Sequence, residues 1–165
     1  MAGDHTKAVE IQFDQTKTSY RELLKVFWTT HDPTVSQETE YLSAIFYHNE
    51  EQKCLAEEIK QEHQKTLEKP IVIRIIPATT FYNAEHHHQK YLLRKTPEVF
   101  TYLKFTNEEL VTSPVATRLN GYCGIYGKLS DLEKEIDLFG LDKQLQFELR
   151  RVVRRAILPL EPSAC

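Results

Sequence analysis

Along the first half of the chain, the spacing of the apolar residues switches between patterns typical of strands and patterns typical of helices. This succession constrains the fold more than any other feature of the sequence. Residues 8 to 13 have valine, isoleucine and phenylalanine at alternate positions, which predicts a half-buried strand. Residues 41 to 47 are aromatic and rich in strand-forming types, so they predict a second strand. The nearly continuous apolar run over residues 71 to 76 predicts a third strand, covered on both faces.

Two amphipathic helices separate these predicted strands. Ser19 is the expected N-cap of the first helix, which is predicted to end before Pro33. Asn49 begins a second, highly charged helix that is predicted to end before Pro70. The resulting order of strand, helix, strand, helix and strand is typical of an α/β fold.

The second half of the chain predicts helices and loops. A short helix is expected over residues 84 to 92, and loop with short helix over residues 96 to 118. Three of the five glycines lie within residues 120 to 127, which predicts a turn that needs either a positive φ or a close backbone approach. Residues 129 to 158 predict two helices separated at Gly140.

The last predicted helix has a cluster of basic residues beside its apolar face. A run of this kind is usually a solvated helix face, but it is also a possible contact for a partner. The cluster consists of Arg150, Arg151, Arg154 and Arg155.

The composition excludes several classes of protein. With 21 basic and 24 acidic residues, the net charge of −3 gives no general attraction to nucleic acid or to an acidic membrane. The hydrophobic share of 41% is enough for a folded core. Neither a membrane span nor a secretory signal is recognisable, so we expect a cytoplasmic protein. Its three cysteines are expected to be thiols rather than a disulfide framework.

Several sequence motifs occur together in this chain. They are GDHT at residues 3 to 6, ELLKVFW at residues 22 to 28 followed by HDPT at residues 31 to 34, YLSAIFY at residues 41 to 47, FYxAExxHQxY at residues 81 to 91, and NGYCG at residues 120 to 124. In this order they resemble the peptide methionine sulfoxide reductase A family, whose members reduce the S epimer of methionine sulfoxide.

The resemblance implies a fold and a division of the chain. It implies an α+β two-layer sandwich of the ferredoxin-like type, incomplete at its N-terminus, over residues 1 to 128. Residues 129 to 165, where the resemblance is weak, are expected to form a helical C-terminal extension.

The resemblance also implies a thiol mechanism. A cysteine thiolate attacks the sulfoxide sulfur, and a second cysteine condenses with the resulting sulfenic acid to form a disulfide that thioredoxin reduces. The family has its nucleophile in a Gly-Cys-Phe-Trp segment upstream of the GDHT motif, and no such segment occurs in these 165 residues. We therefore expect this chain to be inactive alone.

The family roles can be placed on individual residues. The resemblance implies no cofactor, and it names oxidised methionine in proteins or peptides as the substrate. Cys165 is either a second resolving cysteine or an incidental exposed cysteine. The resemblance assigns Cys123 as the recycling cysteine, Tyr41 as the residue that hydrogen-bonds the sulfoxide oxygen, and Tyr82, Glu85, His88 and Tyr122 as residues of the substrate pocket.

Other residues of the chain are unfavourable for catalysis by these 165 residues alone. Lys7 stands where the family has a glutamate that donates a proton. Cys54 lies among glutamates on a predicted helix, and nearby negative charge disfavours a thiolate. Three consecutive histidines, residues 86 to 88, point in different directions on a helix, so no metal site is expected. The alternative function is a non-catalytic peptide-binding or regulatory module derived from the same family.

Overall fold

The computed structural model describes residues 7–35 and 43–157, in two compact units that divide between Tyr82 and Asn83. None of the described helices is both long and apolar enough to cross a membrane. The predicted α/β class is confirmed, since the chain combines helices with a small parallel sheet. In the first unit, α1 is Tyr20–Thr29, β1 is Ala44–Tyr47, α2 is Glu50–Gln64 and β2 is Arg74–Pro77.

Both helices of the first unit begin at the predicted caps. The Ser19 hydroxyl accepts a hydrogen bond from the backbone N–H of Glu22 at 3.2 Å. The Asn49 side chain accepts one from the backbone N–H of Gln52 at 2.8 Å. Each cap satisfies one of the N–H groups that have no partner within the first turn of a helix.

The sheet of the first unit pairs β1 with β2 in parallel, and α2 forms the connection between them. The register places Ala44 opposite Arg74 and Tyr47 opposite Pro77. The helices cover the sheet with apolar side chains, as a βαβ unit requires. The buried core of this unit consists of Leu24, Trp28, Ile45, Ala56, Ile59 and Ile73.

Two strand predictions were wrong in part or entirely. Residues 8 to 13 form no strand, and Val9 is 84% exposed. An alternating pattern forms a strand only when a neighbouring backbone accepts its hydrogen bonds, and the described sheet consists of β1 and β2 alone. The third predicted strand exists as β2, but Arg74 is exposed and Ile75 is only half-buried, so β2 is not covered on both faces.

The second unit is helical in its described part, and it contains more helix than the sequence predicted. The prediction of loop with short helix over residues 96 to 118 underestimated the helix, because three helices occupy much of this stretch. Thr106 begins one with a complete capping box to Glu109, and Ser113 caps another that starts at Pro114. Proline at the first helical position starts a helix rather than breaking it. The helices are α3 (Tyr91–Arg94), α4 (Pro97–Phe100), α5 (Asn107–Thr112), α6 (Pro114–Cys123), α7 (Leu129–Glu135) and α8 (Lys143–Ile157), with a 3₁₀ helix at Ile136–Phe139.

Two further boundaries of the second unit differ from expectation. The short helix predicted over residues 84 to 92 is limited to α3, and residues 86 to 90 form turns. The glycine-rich segment begins inside α6, and its turn starts only at Gly124. The positive φ of this turn belongs to Ile125, at 65°.

The final two predicted helices are separated at Gly140 as expected. Gly140 has a φ of 65°, the left-handed geometry that commonly ends a helix. The following helix packs into the core of its unit, because Leu145, Leu149 and Val153 are buried there with residues of α3 to α7. The predicted domain boundary at residue 128 stays a prediction.

Candidate functional site

Cys123 is the last residue of α6, where the helix gives way to the turn at Gly124. Its side chain is half-buried and packs against the core of the second unit. The thiol contacts the hydroxyl of Thr96, which precedes α4. Leu93 of α3 donates its backbone N–H to the Asn120 side chain at 3.1 Å, and this bond joins α3 to the helix that ends in Cys123.

The surroundings of Cys123 keep its sulfur protonated. Burial raises the pKa of the Cys123 thiol to about 11, and the negative charge of Glu98 acts in the same direction. The hydrogen bond with Thr96 lowers the pKa but does not outweigh burial. A thiol is a far weaker nucleophile than a thiolate, so Cys123 in this conformation is a poor first attacker of an oxidised sulfur.

Tyr122 precedes Cys123 and is fixed by a three-residue network. Its hydroxyl donates a hydrogen bond to the carboxylate of Glu135 and accepts one from the Arg118 guanidinium at 3.1 Å. Arg118 also donates to Glu135, with its Nε 3.1 Å from the carboxylate oxygen. The guanidinium carbon of Arg118 lies 5.3 Å from the centre of the Tyr122 ring. We call Arg118, Tyr122 and Glu135 the α6–α7 triad.

The triad sets the protonation of its members. Burial, followed by the hydrogen bond to Glu135, raises the pKa of Tyr122 to about 12. Burial raises the pKa of the Glu135 carboxyl, but hydrogen bonds from Arg118 and Tyr122 outweigh it and hold that pKa below its usual value. The triad is therefore a neutral tyrosine between a cation and an anion, and it ties the end of α6 to α7.

Two glycines allow close packing beside Tyr122 and Cys123. A Cβ at Gly127 would overlap the ring of Tyr122, and a Cβ at Gly124 would lie 2.9 Å from the ring of Tyr126. The sequence left open whether these glycines serve a positive φ or a close approach. The structure shows that they serve a close approach.

Glu85 and His88 share one turn before α3. The backbone N–H of His88 donates to the carbonyl of Glu85 at 2.9 Å, and the rings of His87 and His88 lie 4.1 Å apart. Over the part of the chain that the structure describes, no three His, Cys, Asp or Glu side chains are arranged to hold a metal ion. These two residues share the second unit with Tyr122 and Cys123.

The remaining predicted site residues are elsewhere or outside the described residues. Tyr82 is the last residue of the first unit and is exposed. Cys54, which is not among the predicted site residues, lies on α2 with an exposed side chain. Tyr41 and Cys165 lie outside the described residues.

Sequence reasoning missed three residues that surround the predicted site. Arg118 has a detectable signal, because it lies four positions before Tyr122 on one helix and the two side chains therefore share a face. Thr96 and Glu135 have no local signal, since each reaches α6 from another element. Their positions follow only from the packing of the helices.

The family of the chain follows from comparison with known proteins. Residues 1–118 match the family described as peptide methionine sulfoxide reductase. The chain belongs to this family. Residues 105–153 also match the family described as the helical domain of selenoprotein methionine sulfoxide reductase A, and this range contains α5, α6, α7, the 3₁₀ helix and most of α8. The resemblance recognised in the motifs is thus confirmed.

Individual relatives cover different shares of the chain. A peptide methionine sulfoxide reductase of Drosophila melanogaster is 39% identical over 142 residues, which are 84% of this chain and 58% of that protein. One from Fragaria ananassa is 45% identical over 96 residues, or 54% of this chain and 50% of that protein. One from Methanosarcina acetivorans is 44% identical over 99 residues, or 55% and 53%. The chain spans between half and three fifths of the length of these relatives.

Proposed function

We propose that this chain carries the recycling thiol, Cys123, of a peptide-methionine (S)-S-oxide reductase, and that these 165 residues alone do not reduce methionine sulfoxide. Membership of the family carries the first part of the proposal. The position of Cys123 at the end of α6, inside the matched helical domain, supports its role. The proposed pocket residues are Tyr41, Tyr82, Glu85, His88 and Tyr122.

The proposed chemistry transfers two electrons from thiols to the sulfoxide. A nucleophilic thiolate, supplied with the family's Gly-Cys-Phe-Trp segment, attacks the sulfoxide sulfur. The S–O bond of the sulfoxide breaks, the oxygen takes up one proton and is transferred to the cysteine sulfur as a sulfenic acid, and methionine leaves. The Cys123 sulfur then attacks the sulfenic sulfur, water departs, and a disulfide forms. Thioredoxin exchanges its dithiol with that disulfide and restores both cysteines.

The described cysteines support the second part of the proposal. Burial keeps Cys123 protonated near neutral pH, with a pKa of about 11. Cys54 is exposed on α2, a helix whose first turn has the acidic residues Glu50 and Glu51, so its thiol is not enclosed in a substrate pocket. A first attacker needs a thiolate that faces a bound substrate. Cys123 lacks the thiolate, and the exposed Cys54 does not face a buried pocket.

A second candidate function is a peptide-binding module without catalysis. Lys7 favours it, because a lysine cannot replace a neutral carboxylic acid as the proton donor at that position. Under this alternative, the chain binds a peptide containing methionine sulfoxide and releases it unchanged. Adding a nucleophile would then give no turnover.

The test compares the chain with a version extended upstream by the family's Gly-Cys-Phe-Trp segment. A peptide with methionine-S-sulfoxide is the substrate, and either dithiothreitol or thioredoxin with its reductase is the reductant. We expect turnover only from the extended chain. Within it, Cys123→Ser should abolish turnover with thioredoxin and retain it with dithiothreitol, which reduces a sulfenic acid directly.

The control is Cys54→Ser in the extended chain, which should leave both activities unchanged. Equal turnover by thioredoxin with and without Cys123 would contradict the recycling role. An extended chain that binds the peptide but does not turn over with either reductant would support the binding module instead.

A further inference from the structure

The outer face of α8 combines an aromatic ring with four guanidinium groups. Phe147 is 59% exposed, although it is the fifth of the fifteen residues of α8 and neighbouring turns of that helix are packed into the core. Arg150, Arg151, Arg154 and Arg155 follow it by three, four, seven and eight positions, so all four share its side of the helix. The five side chains line a shallow groove of about 290 Å³. We call this set the arginine face.

The fold of the second unit does not explain the exposed ring. The opposite side of α8 already fills the core through Leu145, Leu149 and Val153, which are buried. Phe147 contributes apolar area to the surface instead. Aromatic residues and arginine are the types most enriched at the centres of protein interfaces. The composition of this face is therefore that of a binding surface rather than of an ordinary solvated helix.

The charges of the arginine face indicate the chemistry of its partner. The described carboxylates that pair with it are those of Glu133, Glu148 and Glu98, three for four guanidiniums. The Arg154 side chain reaches Glu133 only at 3.9 Å, and Arg155 reaches Glu98 at 3.3 Å.

The Arg154 and Arg155 side chains are each 60% exposed. A guanidinium has five N–H donors, and these contacts use few of them. The face thus retains positive charge and donors for further carboxylates.

We propose that the arginine face docks an acidic peptide segment of a partner protein, with an apolar side chain of that segment against Phe147. Carboxylates of the segment would take bidentate bonds from the outer guanidiniums. A membrane fits less well, because the apolar stripe of α8 is buried and one exposed ring is too little to insert. Nucleic acid fits less well too, since the whole chain has a net charge of −3. This binding is independent of the proposed reductase chemistry.

The test is a fluorescence anisotropy titration of the full chain into a fluorescein-labelled peptide of alternating glutamate and leucine. Two control probes replace the glutamates with glutamine or with lysine. We expect saturable binding of the acidic peptide that weakens as salt rises, and no binding of the two controls. Phosphatidylserine vesicles and a single-stranded RNA serve as competitors, and neither should displace the peptide.

Two variants locate the binding. Phe147→Ala should weaken the acidic peptide by about tenfold or more, as truncation of a central aromatic contact does. Arg154→Gln combined with Arg155→Gln should weaken it several-fold and reduce the salt dependence. The matched controls are Leu138→Ala, an exposed apolar residue, and Lys134→Gln, an exposed cation, both outside the face. They should leave the affinity unchanged.

A loss of binding can be distinguished from a loss of folding, because every substituted side chain is exposed. Circular dichroism verifies the helical fold of each variant. Loss of affinity in the two face variants, with both controls intact, supports the proposal. Absence of saturable binding overturns it. So does binding that ignores Phe147→Ala, binding of the lysine peptide at equal affinity, or displacement of the acidic peptide by the vesicles or the RNA.

Discussion

Replacing Tyr122 with phenylalanine tests whether the α6–α7 triad holds the second unit together. The substitution keeps the ring that packs against Gly127 and removes only the hydroxyl. Two hydrogen bonds are lost, the one donated to Glu135 and the one accepted from Arg118. The core volume stays the same, so any change in stability reports on the hydrogen bonds.

The expected loss of stability depends on the interactions that Arg118 and Glu135 keep after the hydroxyl is removed. Hydrogen bonds to charged partners contribute roughly 1.5–3 kcal/mol each when they are buried. Here Arg118 and Glu135 keep their own ion pair, and their side chains are 53% and 25% exposed, so water can replace part of the loss. We therefore expect the free energy of unfolding to fall by about 1–2 kcal/mol. A loss of this size lowers the urea midpoint by about 1 M or less.

The assay is urea unfolding of the full chain, followed by far-ultraviolet circular dichroism. The matched control is Tyr126→Phe, because Tyr126 is a tyrosine in the same unit that is 84% exposed. Its substitution should change the stability by no more than about 0.5 kcal/mol. If Tyr122→Phe and Tyr126→Phe have the same midpoint, the hydroxyl of Tyr122 contributes nothing to stability, contrary to this prediction.

The raised pKa of Tyr122 predicts how stability changes with pH under alkaline conditions, and Tyr122→Phe tests this dependence. The pKa of Tyr122 is about 12 in the folded chain and near 10.0 in the unfolded chain. The unfolded state therefore loses its proton first, and the stability provided by the neutral hydroxyl disappears as pH rises from about 10 to about 12. Tyr122→Phe should lack this part of the decline. An identical pH profile for the two proteins would contradict the raised pKa.

Two further predictions concern glycines and thiols. Gly127→Ala should destabilise the chain by about 1–3 kcal/mol, because the new Cβ overlaps the ring of Tyr122. Gly121→Ala should stabilise it by about 0.5–1 kcal/mol, since this helical glycine has open space; thermal melts by circular dichroism compare the two. Iodoacetamide should modify Cys54 much faster than Cys123 at neutral pH, as peptide mass spectrometry would show. If the rate of Cys123 modification does not increase as the pH approaches 11, the raised pKa of this buried thiol is contradicted.

Local sequence patterns correctly predicted the N-caps of α1 and α2 and the break between helices at Gly140. Ser19 and Asn49 cap their helices through side chains that reach only three residues along the chain, so the pattern is complete in the sequence. Gly140 likewise ends its helix through its own backbone geometry. These features do not depend on which elements pack together, and this is why the sequence was sufficient for them.

Features that depend on distant partners could not be predicted. The apolar alternation around Val9 and Ile11 predicts a strand, but no described backbone pairs with it. The resemblance placed Tyr122 in a substrate pocket, and the structure shows its hydroxyl bound by Glu135 from another helix. Nothing within one turn of Tyr122 signals that carboxylate. The pocket role of Tyr122 stays a prediction, and the triad is the observation that sequence reasoning missed.

A single-turnover experiment without any reductant tests directly whether these 165 residues can reduce methionine sulfoxide. The reduced 165-residue chain is mixed with a peptide containing methionine-S-sulfoxide, and mass spectrometry measures the methionine peptide formed per chain. We expect no methionine and three unmodified cysteines, because burial keeps the Cys123 thiol protonated and Cys54 lies exposed on α2. One methionine per chain, with a sulfenic acid or disulfide appearing at Cys123, would contradict this expectation.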